Sequence, residues 1–218
     1  MMKVFVIGAT GRVGQDLITA LTQAGHTVTA GVHTPSKFKQ GDLATPVAFD
    51  LTAAPATMAT ILTGYDAVYF VAGSRGRDLL QVEEFGAIKS MQAAEQAGVK
   101  RYVMLSSLFA TQPEKWAGIT SLASLADYNV AKFVADNWLM RNTQLDYTII
   151  QPGTLTETPA TGRVTLGVTD GGQNAIPDVA AVLAAVLEQH NTFGQVITMH
   201  AGDTPVAEAV ANWSQATK

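Results

Sequence analysis

The sequence predicts an α/β fold: a doubly wound parallel sheet of about seven strands with helices on both faces. Three observations predict it. Strand-like and helix-like patterns alternate along nearly all of the 218 residues, as parallel strands joined by crossover helices require. Hydrophobic residues make up 47% and charged residues only 15%, against roughly 25% charged in an ordinary soluble domain. Such a balance suits a sheet covered on both faces. The first strand, finally, runs straight into a glycine-rich turn that opens a helix.

Strands are predicted near 3–8, 27–33, 46–50, 66–72, 100–106, 145–151 and 195–200. Helices are predicted near 12–24, 55–63, 80–98, 127–142, 177–189 and 204–215. Lys3 to Ile7 is apolar and β-branched, as a buried parallel strand should be. Val13, Leu17, Ile18 and Leu21 then fall at helical spacing. Gly25, Gly64, Gly98 and Gly194 stand where helices end and strands are about to begin. Two longer segments, 107–126 and 152–176, break the alternation, and loops of that length serve a site or move. Both follow the C-terminal ends of strands, the edge at which open α/β sheets bind ligands. With no linker, repeat or low-complexity tract, residues 1–218 read as one domain with a small substrate-binding C-terminal portion.

Composition excludes several classes. A net charge of -4 without a basic stripe argues against nucleic acid as a partner. The chain has no cysteine, hence no disulfide, thiolate metal site or cysteine nucleophile, and His26, His190 and His200 show no metal-ligand spacing. No apolar run reaches membrane-spanning length and the N-terminus lacks a signal-peptide pattern, so a cytoplasmic protein is expected. The expected partner is a small-molecule substrate, with the chain a monomer or homodimer.

The segment KVFVIGATGRVGQD (3–16) carries the strongest functional signal. Glycines at 8, 11 and 14 let the backbone approach phosphates, and the following helix N-terminus presents N–H donors and a positive dipole end. Gly8, Thr10, Gly11, Arg12, Val13 and Gly14 are therefore predicted to hold a dinucleotide pyrophosphate in a Rossmann-type fold. The alternative is a bare βα turn. An acid about 20 residues further on would grip the adenosine ribose of NAD. Between Leu17 and Gly41 there is no Asp or Glu; GVHTPSKFK instead offers His33, Thr34, Ser36 and Lys37. Such donors suit an added 2′-phosphate, with Arg12 able to approach it, so NADP(H) is predicted and NAD(H) is the alternative. A solvated polar turn is the bland reading of the same residues. Asp50 is a candidate partner for the adenine amine or, equally, an N-cap for 52–63. Ala72, Gly73 and Ser74, ending strand four beside the glycine turn, would let the cofactor ribose lie against the backbone.

Strand five, RYVMLSSLF, ends in Ser106 and Ser107, and Tyr128-Asn-Val-Ala-Lys132 follows 21 residues later. Tyr128 and Lys132 share a helix face at i, i+4. A nearby ammonium and a hydroxyl that hydrogen-bonds the phenol would make Tyr128 an acid useful near neutrality. Bringing its pKa down by about three units corresponds to roughly 4 kcal/mol of differential stabilisation.

Taken in this order, GATGRVG (8–14), AAEQAGVKRYVMLSS (93–107), YNVAK (128–132), YTIIQPGTL (147–155) and IPDVAAVLAAVLE (176–188) resemble the short-chain dehydrogenase/reductase superfamily. The chain is similar to its small atypical members, the NAD(P)-binding, NmrA-like and epimerase/dehydratase-like proteins. The resemblance implies Tyr128 as proton donor or acceptor and Lys132 as ligand of the nicotinamide ribose that depresses the tyrosine pKa. It implies Ser107 as the residue orienting the substrate oxygen, with Ser106 the alternative, and Pro152, Gly153 and Thr154 lining the nicotinamide. Two positions depart from the pattern: Glu83 stands where extended members carry asparagine, and Pro177 where many relatives carry a basic residue. The implied function is NAD(P)H-dependent reduction of a small carbonyl, quinone or flavin-like acceptor. A non-catalytic NADP(H) sensor and an epimerase or dehydratase that retains its cofactor are the alternatives. Phe109, Trp116 and Ile119 suggest a pocket wall or lid, or, with equal weight for Trp116, an anchor of the loop to the core.

Overall fold

The computed structural model describes residues 1–214. Seven parallel strands form most of the central sheet: β1 (Lys3–Ile7), β2 (Thr27–Val32), β3 (Ala44–Ala48), β4 (Ala67–Phe70), β5 (Arg101–Leu105), β6 (Asp146–Pro152) and β10 (Gln195–Ala201). The order is β3-β2-β1-β4-β5-β6-β10, extended by antiparallel β8 (Arg163–Leu166) and β11 (Thr204–Pro205) to nine strands. A separate two-stranded sheet pairs β7 (Thr154–Thr156) with β9 (Gln173–Ala175). The expectation of about seven strands thus captures the parallel core. The segment 152–176, expected to be irregular, in fact holds β7, β8 and β9. Those strands are three or four residues long, too short to display an alternation.

Alternate side chains of each central strand feed opposite layers. Val4 and Val6 pack with α1 (Arg12–Gln23) and α6 (Ile176–Ala185), while Phe5 and Ile7 pack with α2 (Pro55–Leu62), α3 (Phe85–Gln96) and α5 (Ala126–Asn142). The remaining helices are short: α4 (Thr120–Ala123) and α7 (Val206–Ala211). The helix expected to 215 ends at Ala211, and residue 215 lies outside the described residues. The helix expected over 80–98 is a π-helical turn (Leu79–Glu84) followed by α3. Such a turn takes in an extra residue and so rotates what precedes it relative to the helix proper.

Two buried charged groups tie separate elements together. The Arg101 guanidinium donates to the carbonyls of Leu187, Asp146 and Val186 and lies 4.1 Å from the Phe193 ring centre; burial pulls its pKa down to about 10. Asp178, the acid of IPDVA, accepts from Thr161 N, Thr161 Oγ1 and Gly162 N, so it fastens the turn before β8 to the start of α6. Both are structural uses of motif residues.

Candidate active site

The strand order reverses between β1 and β4, so a crevice opens outside their C-terminal ends. The glycine turn forms one wall. Gly8 takes φ +91°, and a β-carbon there would overlap the Ala72 backbone; one at Gly14 would overlap the Gly8 carbonyl. Gly11 is the N-cap of α1, with no side-chain cap bond and no acid in the first turn. The first intrahelical bond is Gln15 N to Gly11 O, 3.0 Å, and among the described residues the N–H groups of Arg12, Val13 and Gly14 have no backbone acceptor. That arrangement fits a pyrophosphate: donors without a competing carboxylate, at a positive dipole end, under a turn with no side chain to block approach.

The residues expected to face the adenosine are polar and exposed or half-buried. His33 follows β2 with its Nδ1 3.2 Å from Thr34 Oγ1, and Lys37 closes a short 3-10 turn after it. Asp50 lies two residues beyond β3, and its Oδ1 accepts from Thr52 N (2.8 Å) and Oγ1 (2.7 Å). Those two bonds hold its pKa below the usual carboxylate range, with His33 and Lys89 adding to the effect. The N-cap reading of Asp50 is overturned: α2 begins at Pro55 with Ala54 as N-cap. Proline already fixes the first turn there, and Asp50 closes its own local turn instead. Arg12 reaches across the crevice mouth to Glu157, 2.7 Å away.

The opposite wall is built from side chains. Tyr128, Lys132 and Asp136 follow one another at i, i+4, i+8 on α5 and so form a single stripe. Lys132 Nζ is buried, donates to Leu105 O (3.1 Å) and lies 5.8 Å from the Tyr128 ring centre. Asp136 is wholly buried; its Oδ2 accepts from Ser106 Oγ (2.7 Å) and Gln151 Nε2 (2.9 Å), joining α5 to β5 and β6. Burial pushes its pKa up to about 6, against those two bonds and the Lys132 charge. Burial lowers the pKa of Lys132, opposed by Asp136 and Glu83. Ser106 is spent on Asp136, whereas the Ser107 hydroxyl has no protein partner among the described residues. Asp136 and Gln151 escaped the sequence reading, although the i+8 spacing of Asp136 was a usable signal.

Glu83 explains one departure from the family pattern. The π-helical turn buries it, and its Oε1 accepts from Ser74 N (2.6 Å) and Ser74 Oγ (3.0 Å). Ser74 thereby shapes the loop after β4 rather than offering its donors to a ligand, leaving Ala72 and Gly73 at the crevice. The expected lowering of the Tyr128 pKa is not what this wall produces. Burial pushes the phenol above its usual range, and Glu83 and Asp136 push it further.

Pro152 ends β6, its carbonyl accepting from Leu108 N (3.0 Å). Gly153 packs against the Gly172 carbonyl, and Thr154 N donates to that same carbonyl at 2.9 Å. All three thus sit on hydrogen-bonded backbone just at the C-terminal end of β6. In the 107–126 loop, Trp116 Nε1 donates to Phe109 O (2.9 Å), and its ring meets Phe133 edge-on at 6.3 Å. Trp116 is thus an anchor of the loop.

A crevice with an uncapped, donor-rich helix start on one side and a half-buried tyrosine beside a buried lysine on the other fits a Rossmann-type nicotinamide-nucleotide-binding protein. The chain belongs to the NAD(P)H-binding family, which it matches over residues 8–190. It is 36% identical to a Bacillus subtilis protein described as an uncharacterized sugar epimerase, YhfK, over 96% of this chain and 99% of that one. The oxidoreductase ylbE of Lactococcus lactis has a similar structure, at a TM-score of 0.93, with 43% identity over 96% of this chain and 95% of that one. An anaerobillin reductase of Escherichia coli, ChuY, shares the fold, at 21% identity and a TM-score of 0.76 over 92% of this chain and 98% of that one. The resemblance to small atypical dehydrogenase/reductase-like proteins is borne out. No helix among the described residues is long and apolar enough to cross a membrane.

Proposed function

We propose that the chain is an NADPH-dependent oxidoreductase that reduces a small carbonyl, quinone or flavin-like acceptor. The observation that carries this reading is the pairing, across one crevice, of the unspent N–H groups at the start of α1 with the Tyr128–Lys132 stripe of α5. The name of the Lactococcus lactis neighbour supports it. When bound, the reduced nicotinamide would supply a hydride. Arg12, Val13 and Gly14 bind the pyrophosphate through their N–H groups, and His33, Thr34 and Lys37 receive the 2′-phosphate. Asp50, with Oδ2 unspent, accepts from the adenine amine. Lys132 binds the nicotinamide ribose hydroxyls with the donors that Leu105 leaves over. Ser107 orients the acceptor oxygen and Tyr128 gives that oxygen its proton.

A second reading, epimerisation with a retained cofactor, is favoured by the description of the Bacillus subtilis relative. NADPH oxidation followed at its near-ultraviolet absorbance, against quinones, flavins and aldehydes, separates the two. Net oxidation with one of these acceptors is the expected result. Sugar epimerisation without net oxidation sinks the reductase reading, and so does NADPH binding with no turnover, which would mark a sensor.

A further inference from the structure

The groups assigned to the reaction come from three separate elements. Tyr128 and Lys132 belong to α5, Ser107 to the chain leaving β5, and Pro152 to Thr154 to the chain leaving β6. Backbone pairing fixes β5 against β6, with Leu105 opposite Ile150 and Ser106 N donating to Ile150 O at 2.8 Å. The helix has no such ladder. Its apolar side, Ala135 and Leu139, is held by burial, which is non-directional. Hydrogen bonds weaken steeply as distance and angle depart from the optimum, so they can set where α5 stands along the strands. One atom makes that tie to both strands. Asp136 Oδ2 accepts from Ser106 Oγ at 2.7 Å and from Gln151 Nε2 at 2.9 Å, and all three residues are buried. Ser106 immediately precedes Ser107, and Gln151 immediately precedes Pro152. The clasp thus grips each strand one residue before the group assigned to the site. Lys132 Nζ adds a second tie one helix turn away, to Leu105 O at 3.1 Å.

The chain beyond Ser107 is fastened as well. Leu108 N donates to Pro152 O at 3.0 Å, and Ala110 N donates to Ser107 O at 3.0 Å. The turn so formed holds Phe109, buried and bulky, at φ +53°, a left-handed conformation that such side chains rarely adopt. Trp116 Nε1 donates to the Phe109 carbonyl and Lys115 Nζ lies 4.0 Å from its ring centre, so neighbouring contacts over-determine the strained residue. Ser107 is therefore fixed from both sides. We infer that Asp136 is a positioning residue, whose clasp on Ser106 and Gln151 sets where Tyr128 and Lys132 stand relative to Ser107 and the Pro152–Thr154 backbone. The use of that placement rests on the reductase reading of Tyr128, Lys132 and Ser107. What the clasp requires at position 136 is an acceptor oxygen, which an amide also supplies and an aliphatic side chain does not.

The test is a pair of calorimetric titrations of the full chain, with NADPH and with adenosine 2′,5′-bisphosphate, which lacks the nicotinamide ribose. Only the first ligand extends to Lys132. In Ser106→Ala and Gln151→Met, NADPH affinity should fall about fivefold or more, the scale of one lost hydrogen bond. The affinity for the bisphosphate should stay as in the wild type. Asp136→Leu should give the largest loss for NADPH, and Asp136→Asn should restore binding close to the wild-type value. Ser106→Ala and Gln151→Met decide the matter if Asp136→Leu does not fold. Lys132→Met serves as the reference for a lost ribose contact. If it weakens NADPH while the clasp variants do not, the positioning role is overturned. If it too has no effect, the ribose assignment falls and the positioning role with it. Equal losses for both ligands, or Asp136→Asn as weak as Asp136→Leu, likewise overturn the inference. With an acceptor in hand, kcat in Ser106→Ala should fall about tenfold or more at little-changed acceptor KM, as misplaced reacting groups dictate. Failure to find any acceptor would remove the reductase reading and leave the binding comparison standing.

Discussion

The two walls of the crevice are made of different material. The β1 wall is backbone: three glycines, an N-cap without a side-chain bond, and N–H groups at the start of α1. The β5–α5 wall is buried side chains, Glu83, Lys132, Asp136 and Gln151, tied to one another and to neighbouring backbone by hydrogen bonds. The backbone wall depends on the absence of atoms, and the side-chain wall on a balance of charges. Damage to each should therefore look different.

The largest effect is expected where an atom is added to the backbone wall. Gly8→Val puts a branched side chain at φ +91° and into the Ala72 backbone. Left-handed strain alone costs about 1–2 kcal/mol, and the overlap adds to it. Thermal denaturation should show Tm lowered by about 5 °C or more, and a fluorescence titration should show NADPH binding lost. Unaltered binding would mean that the turn does not hold the cofactor.

Tyr128→Phe tests the independence of the walls. Turnover should drop by about 100-fold or more, because a positioned general acid contributes on that scale. NADPH affinity should change less than about threefold, since the phosphate cradle lies across the crevice. Equal losses in both would show the walls to be one unit.

Asp136→Asn reads the charge balance through stability. With its pKa raised to about 6 from the usual 3.8, Asp136 carries a proton in the folded chain when it has already lost it in the unfolded one. Its contribution is therefore fully present below pH 4 and is lost as the pH rises through 6. The span corresponds to at most about 3 kcal/mol. Urea unfolding of the wild type should show this decline between pH 4 and 6, and the variant should flatten it. An equal slope in both proteins would place the titration elsewhere.

The same difference of material decides what the sequence reveals. Gly8, Gly11 and Gly14 are legible because the turn needs glycine at three-residue spacing within one short segment, directly after a strand. Tyr128 and Lys132 are legible because one helix turn brings them together. Asp136, one turn beyond Lys132 on the same helix, is marked in the sequence only by that spacing, whereas Glu83 matters through the packing of a separate element. The extra residue of the π-helical turn that swings Glu83 inward leaves no mark in a helical pattern running through 80–98. The parallel sheet was readable from β-branched runs such as Lys3–Ile7. By contrast β7, β8 and β9 owe their pairing to neighbours already in place, among them Gly153 lodged against Gly172. Asp50 shows a third case: a carboxylate before a helical pattern suggests an N-cap, but Pro55 started α2 without it.

The smallest effect lies at the rim, where a side chain touches the backbone wall. Arg12 begins α1 and donates to Glu157 at 2.7 Å, with both side chains exposed to solvent. An exposed ion pair of this kind contributes only about 0–1 kcal/mol, so it is easily exchanged for a stronger partner. The 2′-phosphate of NADPH, with nearly two negative charges and three acceptor oxygens, is such a partner. Glu157→Gln should then leave Tm nearly unchanged and tighten NADPH binding by about two- to fivefold, the equivalent of roughly 0.4–1 kcal/mol. NADH, which lacks the phosphate, should bind as before. The comparison is read from paired fluorescence titrations at low ionic strength, and the NADPH gain should shrink as salt screens the exposed charges. If both cofactors gain alike, Glu157 acts on the pyrophosphate through overall charge, and Arg12 belongs to the backbone wall alone. If only NADPH gains, the preference for the phosphorylated cofactor is held in part by an arginine that the free protein keeps occupied.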